Sequence, residues 1–220
     1  MRATRSGPAR TVDGVLALEC GETDRTTWYG SPMRCSWAEG DDDMRAYHDQ
    51  EWGVPQHDDA RLFELLTLEG AQAGLSWLTI LKRRPGYVKA FKRFNPKAVA
   101  AFTEVDVDRL LEDAGIVRHR GKIESTINNA GAVLDLKKSG SSLNELLWSF
   151  VDDTPMQRNW RRDPDIPAST PEATLMSKEL KKHGFRFVGP TTCYALMQAA
   201  GLVNDHNPKC FRYAEVKKLR

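Results

Sequence analysis

No stretch of this sequence approaches the roughly 18 consecutive apolar residues that a membrane-spanning helix needs. The first 30 residues also lack the apolar core of a secretory signal, so the expected location is the cytoplasm. There is little net charge: 32 Lys and Arg against 30 Asp and Glu leave +2, which excludes a bulk polycation. Any affinity for nucleic acid must therefore come from a local basic face. Cysteine is scarce as well, with only Cys20, Cys35, Cys193 and Cys210. In a cytosolic chain these are not a disulfide framework, which leaves metal ligation or simple burial. Period-two alternation of apolar residues is rare, and no repeat or low-complexity tract appears, so a sheet protein or a solenoid is not expected.

What is present describes an ordinary soluble globular protein. The 220 residues are 40% hydrophobic and 28% charged, enough for one buried core or one core with a small lobe. Residues 1–33 mix Gly, Pro, Thr and Arg without periodicity and read as a flexible extension. Residues 34–213 read as one compact domain, and 214–220 as a basic tail. Within the domain the periodicity is helical, so the expected fold class is all-α. Leu62, Phe63, Leu65, Leu66 and Leu68 form one helix, capped by Asp58 or Asp59. Leu75 to Leu81 continues after the break at Ala73-Gly74, and Pro85 is placed to open a new helix through Val88 and Phe91. Further helices pass through Val99 to Leu111, Ile123 to Leu134, Leu143 to Val151, Leu175 to His183 and Tyr194 to Leu202. The proline-rich stretch 152–171 reads as an exposed loop.

Three constellations could carry chemistry. Cys35 and His48, with His206 and Cys210 as an H-x-x-x-C pair, make a closed tetrahedral set of the structural zinc type. The alternative is two core cysteines and two surface histidines. Cys20 and Cys193 are substitutes in principle, but one lies in the extension and the other in an apolar stretch without a nearby histidine. The second constellation is LLEDAGIVRHRGKI (110–123): a helix, a glycine turn at Ala114-Gly115, and a second helix near Gly121. Such a hairpin exposes backbone N–H groups to a phosphate, and Arg118, His119, Arg120 and Lys122 surround it with positive charge. Its plain reading is a solvated basic turn. The third is the set Trp37, Tyr47, Trp52, Glu69 and Trp77. Tryptophans usually fill cores, and Glu69 could be a satisfied cap, but a carboxylate inside TLEGAQAGLSWL (67–78) is unusual.

In this order, RCSWA (34–38), AYHDQEWGVP (46–55), LEGAQAGLSW (68–77), AGIVRHRGKI (114–123), WSFV (148–151), GFRFVGPTTCY (184–194) and GLVNDH (201–206) resemble the DNA-3-methyladenine glycosylase I family. The resemblance spans about Met33 to Cys210. It implies a helix-hairpin-helix fold in which one structural zinc on Cys35, His48, His206 and Cys210 joins the N- and C-terminal parts. It places the DNA contacts on the hairpin, including Gly115, Arg118, Arg120, Gly121 and Lys122. It places the base pocket on Glu69, Tyr47 and Trp77, with Trp37 close by. Met44 departs from the pattern, since some members carry a tyrosine there.

The implied activity is flipping and hydrolytic excision of 3-methyladenine from alkylated double-stranded DNA, releasing the free base and leaving an abasic site. Methylation at N3 makes adenine a cation whose glycosidic bond is already weak, so positioning can contribute much of the rate. Glu69 is the expected catalytic and recognition residue, accepting as a carboxylate from the exocyclic amine. Trp77 would stack on the base, and Leu75 would fill the vacated place in the helix. The nearest acid beyond the hairpin, Asp135, reads as a surface residue. The competing readings are a glycosylase/lyase with Lys122 as nucleophile, a non-catalytic DNA-binding module, and a zinc hydrolase. A monomer with no membrane attachment is expected.

Overall fold

A computed structural model of the chain describes residues 33–160, 162 and 165–219, so the extension read at 1–33 lies outside the described residues except for Met33. The helices are α1 (Asp42–Gln50), α2 (Asp59–Gln72), α3 (Trp77–Ala90), α4 (Pro96–Ala100), α5 (Glu104–Glu112), α6 (Arg120–Lys138), α7 (Leu143–Trp148), α8 (Pro171–Lys182), α9 (Pro190–Ala199) and α10 (Phe211–Val216). Two strands of two residues each, β1 (Met156–Gln157) and β2 (Val203–Asn204), pair in parallel with Met156 opposite Val203. The all-α expectation holds around this one small ladder. None of the described helices is long and apolar enough to cross a membrane.

The centre of the fold is α2, where every residue from Leu62 to Ala71 is buried. Asp58 starts it by accepting from the Arg61 N–H at 2.9 Å. A helix enclosed on all sides gives its polar residues no water, so Glu64 and Glu69 must find protein partners or face a cavity. Helices α3, α6, α7 and α9 pack around it.

Two expectations need correction. No new helix begins at Pro85; α3 runs through it. Proline removes one intrahelical hydrogen bond, but Ile80 before it and Tyr87 and Ala90 after it are all buried, so packing keeps one axis across the break. The stretch 152–171 is also not wholly an exposed loop. It contains β1, Thr170 is buried, and Trp160 donates its indole N–H to the buried Asp205 at 2.9 Å.

The acidic run 41–43 has a local cause. Asp41 caps α1 by accepting from the Asp43 N–H at 2.8 Å, and Asp42 and Asp43 lie in the first turn, where the helix dipole favours negative charge. The two ends of the described chain meet: the Phe211 N–H donates to the Met33 carbonyl at 3.0 Å, and Arg34 forms a bidentate pair with Asp49. Helix α10 crosses the expected boundary between domain and tail, and Val216 is fully buried.

Candidate functional site

Glu69 emerges from α2 into a cavity of about 410 Å³, within the range of small-molecule pockets. Tyr47 from α1, Trp77 from the start of α3, and Trp37 also line it, so four residues read from the sequence converge. Tyr47 and Trp77 have ring centroids 5.2 Å apart, and Trp37 lies 6.4 Å from Tyr47. Met44 occupies part of the same wall. Trp52, Gln72, Ala195, Gln198 and Ile166 line it too, and the sequence reading did not assign them to the pocket. Ile166 comes from the proline-rich stretch and carried no signal. Gln198 lies within an otherwise apolar helical pattern, and its spacing gave no hint of a cavity.

The Glu69 carboxyl is only 6% exposed, and no described residue donates a hydrogen bond to it. Burial alone pushes its pKa up to about 8. The protein alone therefore favours the protonated form, and a carboxylate here needs a positive partner to sustain it. Tyr47 is also held well above the ordinary tyrosine range, first by burial and then by the nearby Glu69 and Glu51.

Behind Tyr47, four charged side chains close a ring. Arg84 donates through Nε to Glu64 at 2.7 Å and through Nη1 to Glu51 at 2.8 Å, while Arg61 bonds both Glu51 and Glu64. The ring joins Glu51 at the end of α1, Arg61 and Glu64 of α2, and Arg84 of α3. Those three helices carry Tyr47, Glu69 and Trp77.

The hairpin between α5 and α6 is buttressed from α3. Arg83 Nη1 donates to the carbonyls of Ala114 and Ile116, and the Tyr87 hydroxyl accepts from the Val117 N–H at 3.2 Å. Gly86 lies so near Gly115 that a Cβ there would meet the Gly115 oxygen at 2.2 Å. The expected phosphate contacts divide. The Gly115 N–H is already taken by Asp113 Oδ1 at 2.7 Å. The N–H groups of Arg118, Arg120 and Gly121 have no acceptor among the described residues, because α6 starts there. Arg118 is exposed, whereas Arg120 is paired with Glu104, Asp108 and Glu124. Lys122 does not project as an open phosphate contact: Nζ donates to the carbonyls of Ala71 and Ala73 at 2.8 and 2.7 Å, completing the end of α2. Leu75, next to Gly74 at φ +81°, is 40% exposed and lines an adjoining cavity that also reaches Glu69, Gln72 and Ala195. Asp135 is exposed and paired with Lys138.

Cys35, His48, His206 and Cys210 are all buried, with their ligand atoms within 4.8 Å of one another. Sulfur–nitrogen separations are 3.4 Å for Cys210–His48 and 3.7 Å for both Cys35–His206 and Cys210–His206. A tetrahedral ion with bonds of about 2.0–2.3 Å requires edges of about 3.6 Å, so the donor set fits one. The second nitrogen of each imidazole is oriented, His48 Nδ1 by Asp49 at 2.7 Å and His206 Nε2 by the Trp52 carbonyl at 3.0 Å. The Cys/His cluster and the Glu69 cavity share a wall: Trp37 lies 5.3 Å from His48, and Trp52 lies 4.6 Å from His206. Cys193 is buried apart from the cluster, with its thiol pushed up to about 12 by burial.

Comparison with known proteins agrees with this architecture. The family model described as methyladenine glycosylase matches residues 37–213. DNA-3-methyladenine glycosylase 1 of Escherichia coli (strain K12) is 51% identical over 180 residues, covering 82% of this chain and 96% of that protein. A crystal structure of 3-methyladenine DNA glycosylase I superposes with a TM-score of 0.80 at 51% identity, covering 81% of this chain and 98% of that one. The Staphylococcus aureus enzyme, solved to explain its recognition of 3-methyladenine, gives 0.79 at 40% identity over 83% and 97%. With a helical fold, an enclosed carboxyl and a matching sequence, this chain belongs to the methyladenine glycosylase family.

Proposed function

We propose that the protein hydrolyses 3-methyladenine from alkylated double-stranded DNA, releasing the free base and leaving an abasic site. The observation that carries this reading is Glu69, a carboxyl without a donor in a cavity walled by Tyr47 and Trp77. Burial withholds the countercharge that an ionised carboxyl needs, and a cationic base supplies it. As the cationic base enters, Glu69 gives up its proton to bulk water, and the resulting carboxylate accepts from the exocyclic amine. A neutral purine brings no such charge, and guanine presents a carbonyl where the acceptor stands. Trp77 stacks on the ring, Trp37 and Tyr47 close the pocket, and Tyr47 contributes its hydroxyl. Leu75 fills the space that the flipped nucleotide leaves.

The hairpin grips the DNA backbone through Arg118 and the free N–H groups of Arg120 and Gly121. Cys35, His48, His206 and Cys210 hold one structural zinc. Four protein ligands leave no open position for a hydrolytic water, which sets this site apart from a zinc hydrolase. A zinc there would cross-link the segments around Cys35–His48 and His206–Cys210 and stiffen the wall behind Trp37 and Trp52. A purely DNA-binding module has no use for Glu69 in a cavity. The lyase alternative is not favoured, because Lys122 is already bound to two carbonyls. The proposed enzyme is a cytoplasmic monomer.

The direct test is incubation with DNA methylated by dimethyl sulfate, followed by chromatography of the released bases. Release of 3-methyladenine is expected. Intact glycosidic bonds in all methylated adenines would overturn the proposal.

A further inference from the structure

Gln198, on α9, lines the same cavity as Glu69. Its side-chain amide has a fixed sense. Nε2 donates to Asp205 Oδ2 at 2.9 Å, and Asp205 is 1% exposed. That carboxyl also accepts the indole N–H of Trp160, on Oδ1 at 2.9 Å, and the hydroxyl of Tyr194, on Oδ2. Three donors thus converge on one buried acceptor group. Rotating the amide of Gln198 by half a turn would set its oxygen against Oδ2, two acceptors face to face. Oε1 is therefore the atom left for the cavity. No described residue donates to it, and it is not among the polar atoms sealed inside the protein without a partner. The backbone of Gln198 has separate work, since its carbonyl accepts from the N–H groups of Gly53 at 3.1 Å and Gly201 at 3.3 Å.

We infer that Gln198 Oε1 is a second acceptor for the exocyclic amine of the bound base, and that Asp205 is the positioning residue that keeps it so. This rests on the functional reading above and deepens it. An amine carries two N–H groups, and Glu69 takes one. In a dry pocket the other needs its own acceptor or is left unpaired. Glu69 on α2 and Gln198 on α9 stand on two helices that pack directly against each other, so their acceptors approach one group from two sides. The pair sharpens selection: an amine satisfies both oxygens, whereas a carbonyl at that position satisfies neither.

The test is Gln198→Met, which keeps length and removes the acceptor, assayed beside the unaltered protein on dimethyl sulfate-treated DNA carrying both 3-methyladenine and 3-methylguanine. The expected result is an approximately tenfold loss in kcat/KM for 3-methyladenine, the worth of one hydrogen bond. Release of 3-methylguanine should change much less, so the ratio of the two bases falls. Metal content and affinity for undamaged duplex should stay as they were, and the melting temperature should fall only by the loss of one of the three donors to Asp205. A second variant, Asp205→Asn, offers an N–H to Gln198 and lets its amide reverse; the same ratio should fall further. An unchanged ratio in Gln198→Met, or an equal loss on both bases, would overturn the inference. Absence of 3-methyladenine release by the unaltered protein would instead overturn the functional reading beneath it.

Discussion

Lys122 Nζ lies 2.7 Å from the carbonyl oxygen of Ala73, so a lysine from the first turn of α6 holds the loop that carries Leu75. Burial lowers the pKa of this ammonium, while the two carbonyls give it fixed partners. From that geometry we propose that Lys122 positions the loop that carries Leu75 rather than neutralising a phosphate. Lys122→Met should cost about 1–3 kcal/mol of stability through two carbonyls left without a donor. The salt dependence of binding to undamaged DNA should keep its slope. Arg118→Ala should do the reverse, reducing the slope by about one with little change in melting temperature. A flatter salt dependence for the Lys122 variant would restore it as a phosphate contact.

The metal cluster invites a test that does not depend on turnover. Cys35 and His48 come from one end of the described chain, and His206 and Cys210 from the other, so losing one ligand releases both segments. Cys35→Ala or His206→Ala should lose zinc and melting temperature together. Because Trp52 lies 4.6 Å from His206 and Trp37 lies 5.0 Å from Trp52, tryptophan emission should shift as well. Zinc content by atomic emission, thermal melting and fluorescence on one preparation decide the matter. Metal-free protein of equal stability would show that the cluster has no structural ion.

Much of this was legible in the sequence because it depends on short-range patterns. The helical period gave α2 and α6. Glu69 stood out as a charge in an apolar helix. What was not legible depends on where remote segments meet. Lys122 looks like any hairpin cation until the end of α2 is placed beside it. Arg120 looks free until Glu104 and Asp108 of α5 are seen to face it. Gln198 and Ile166 reach the cavity only through packing, and the high pKa of Glu69 follows from an enclosure that no local motif encodes. Pro85 misled for the same reason, since buried neighbours on both sides override its local preference.

The contact between Gly86 and Gly115 predicts an unusual response to alanine. In a helix interior, Gly→Ala normally stabilises by up to about 1 kcal/mol. At Gly131, where a Cβ meets nothing within 4 Å, that gain is expected. At Gly86 the new Cβ would lie 2.2 Å from a backbone oxygen, so α3 or the hairpin must move. Overpacking of this kind costs about 1–3 kcal/mol and outweighs the propensity gain. Gly86→Ala should therefore melt lower and bind damaged and undamaged duplex more weakly by the same factor. Thermal melts and duplex titrations of the two variants give the comparison. A stabilised Gly86→Ala with unchanged DNA affinity would refute the tight seating of the hairpin.

Glu69 makes the sharpest prediction, because its activity and stability effects have opposite signs. Its folded pKa of about 8 lies above the ordinary value of 4.5, so the fold favours the acid. The associated stability is fully present below pH 4.5 and is lost progressively as pH rises to about 8, by roughly 5 kcal/mol at most. Glu69→Gln carries no charge at any pH and escapes this loss. The variant should match the parent near pH 4.5 and melt higher from pH 6 upward. Its release of 3-methyladenine should nevertheless fall by roughly one to three orders of magnitude, the scale of a charged hydrogen bond in a dry site. In the parent protein, kcat/KM should rise with pH through about 8 as the accepting carboxylate forms, and the profile of the Glu69→Gln variant should be flat there. Binding to duplex containing an abasic analogue, which leaves the pocket empty, should hardly change. If Glu69 is instead a structural cap, the substitution lowers the melting temperature at every pH and leaves turnover per folded molecule intact. Melting curves and base release from a single preparation, taken between pH 5 and 9, separate the two.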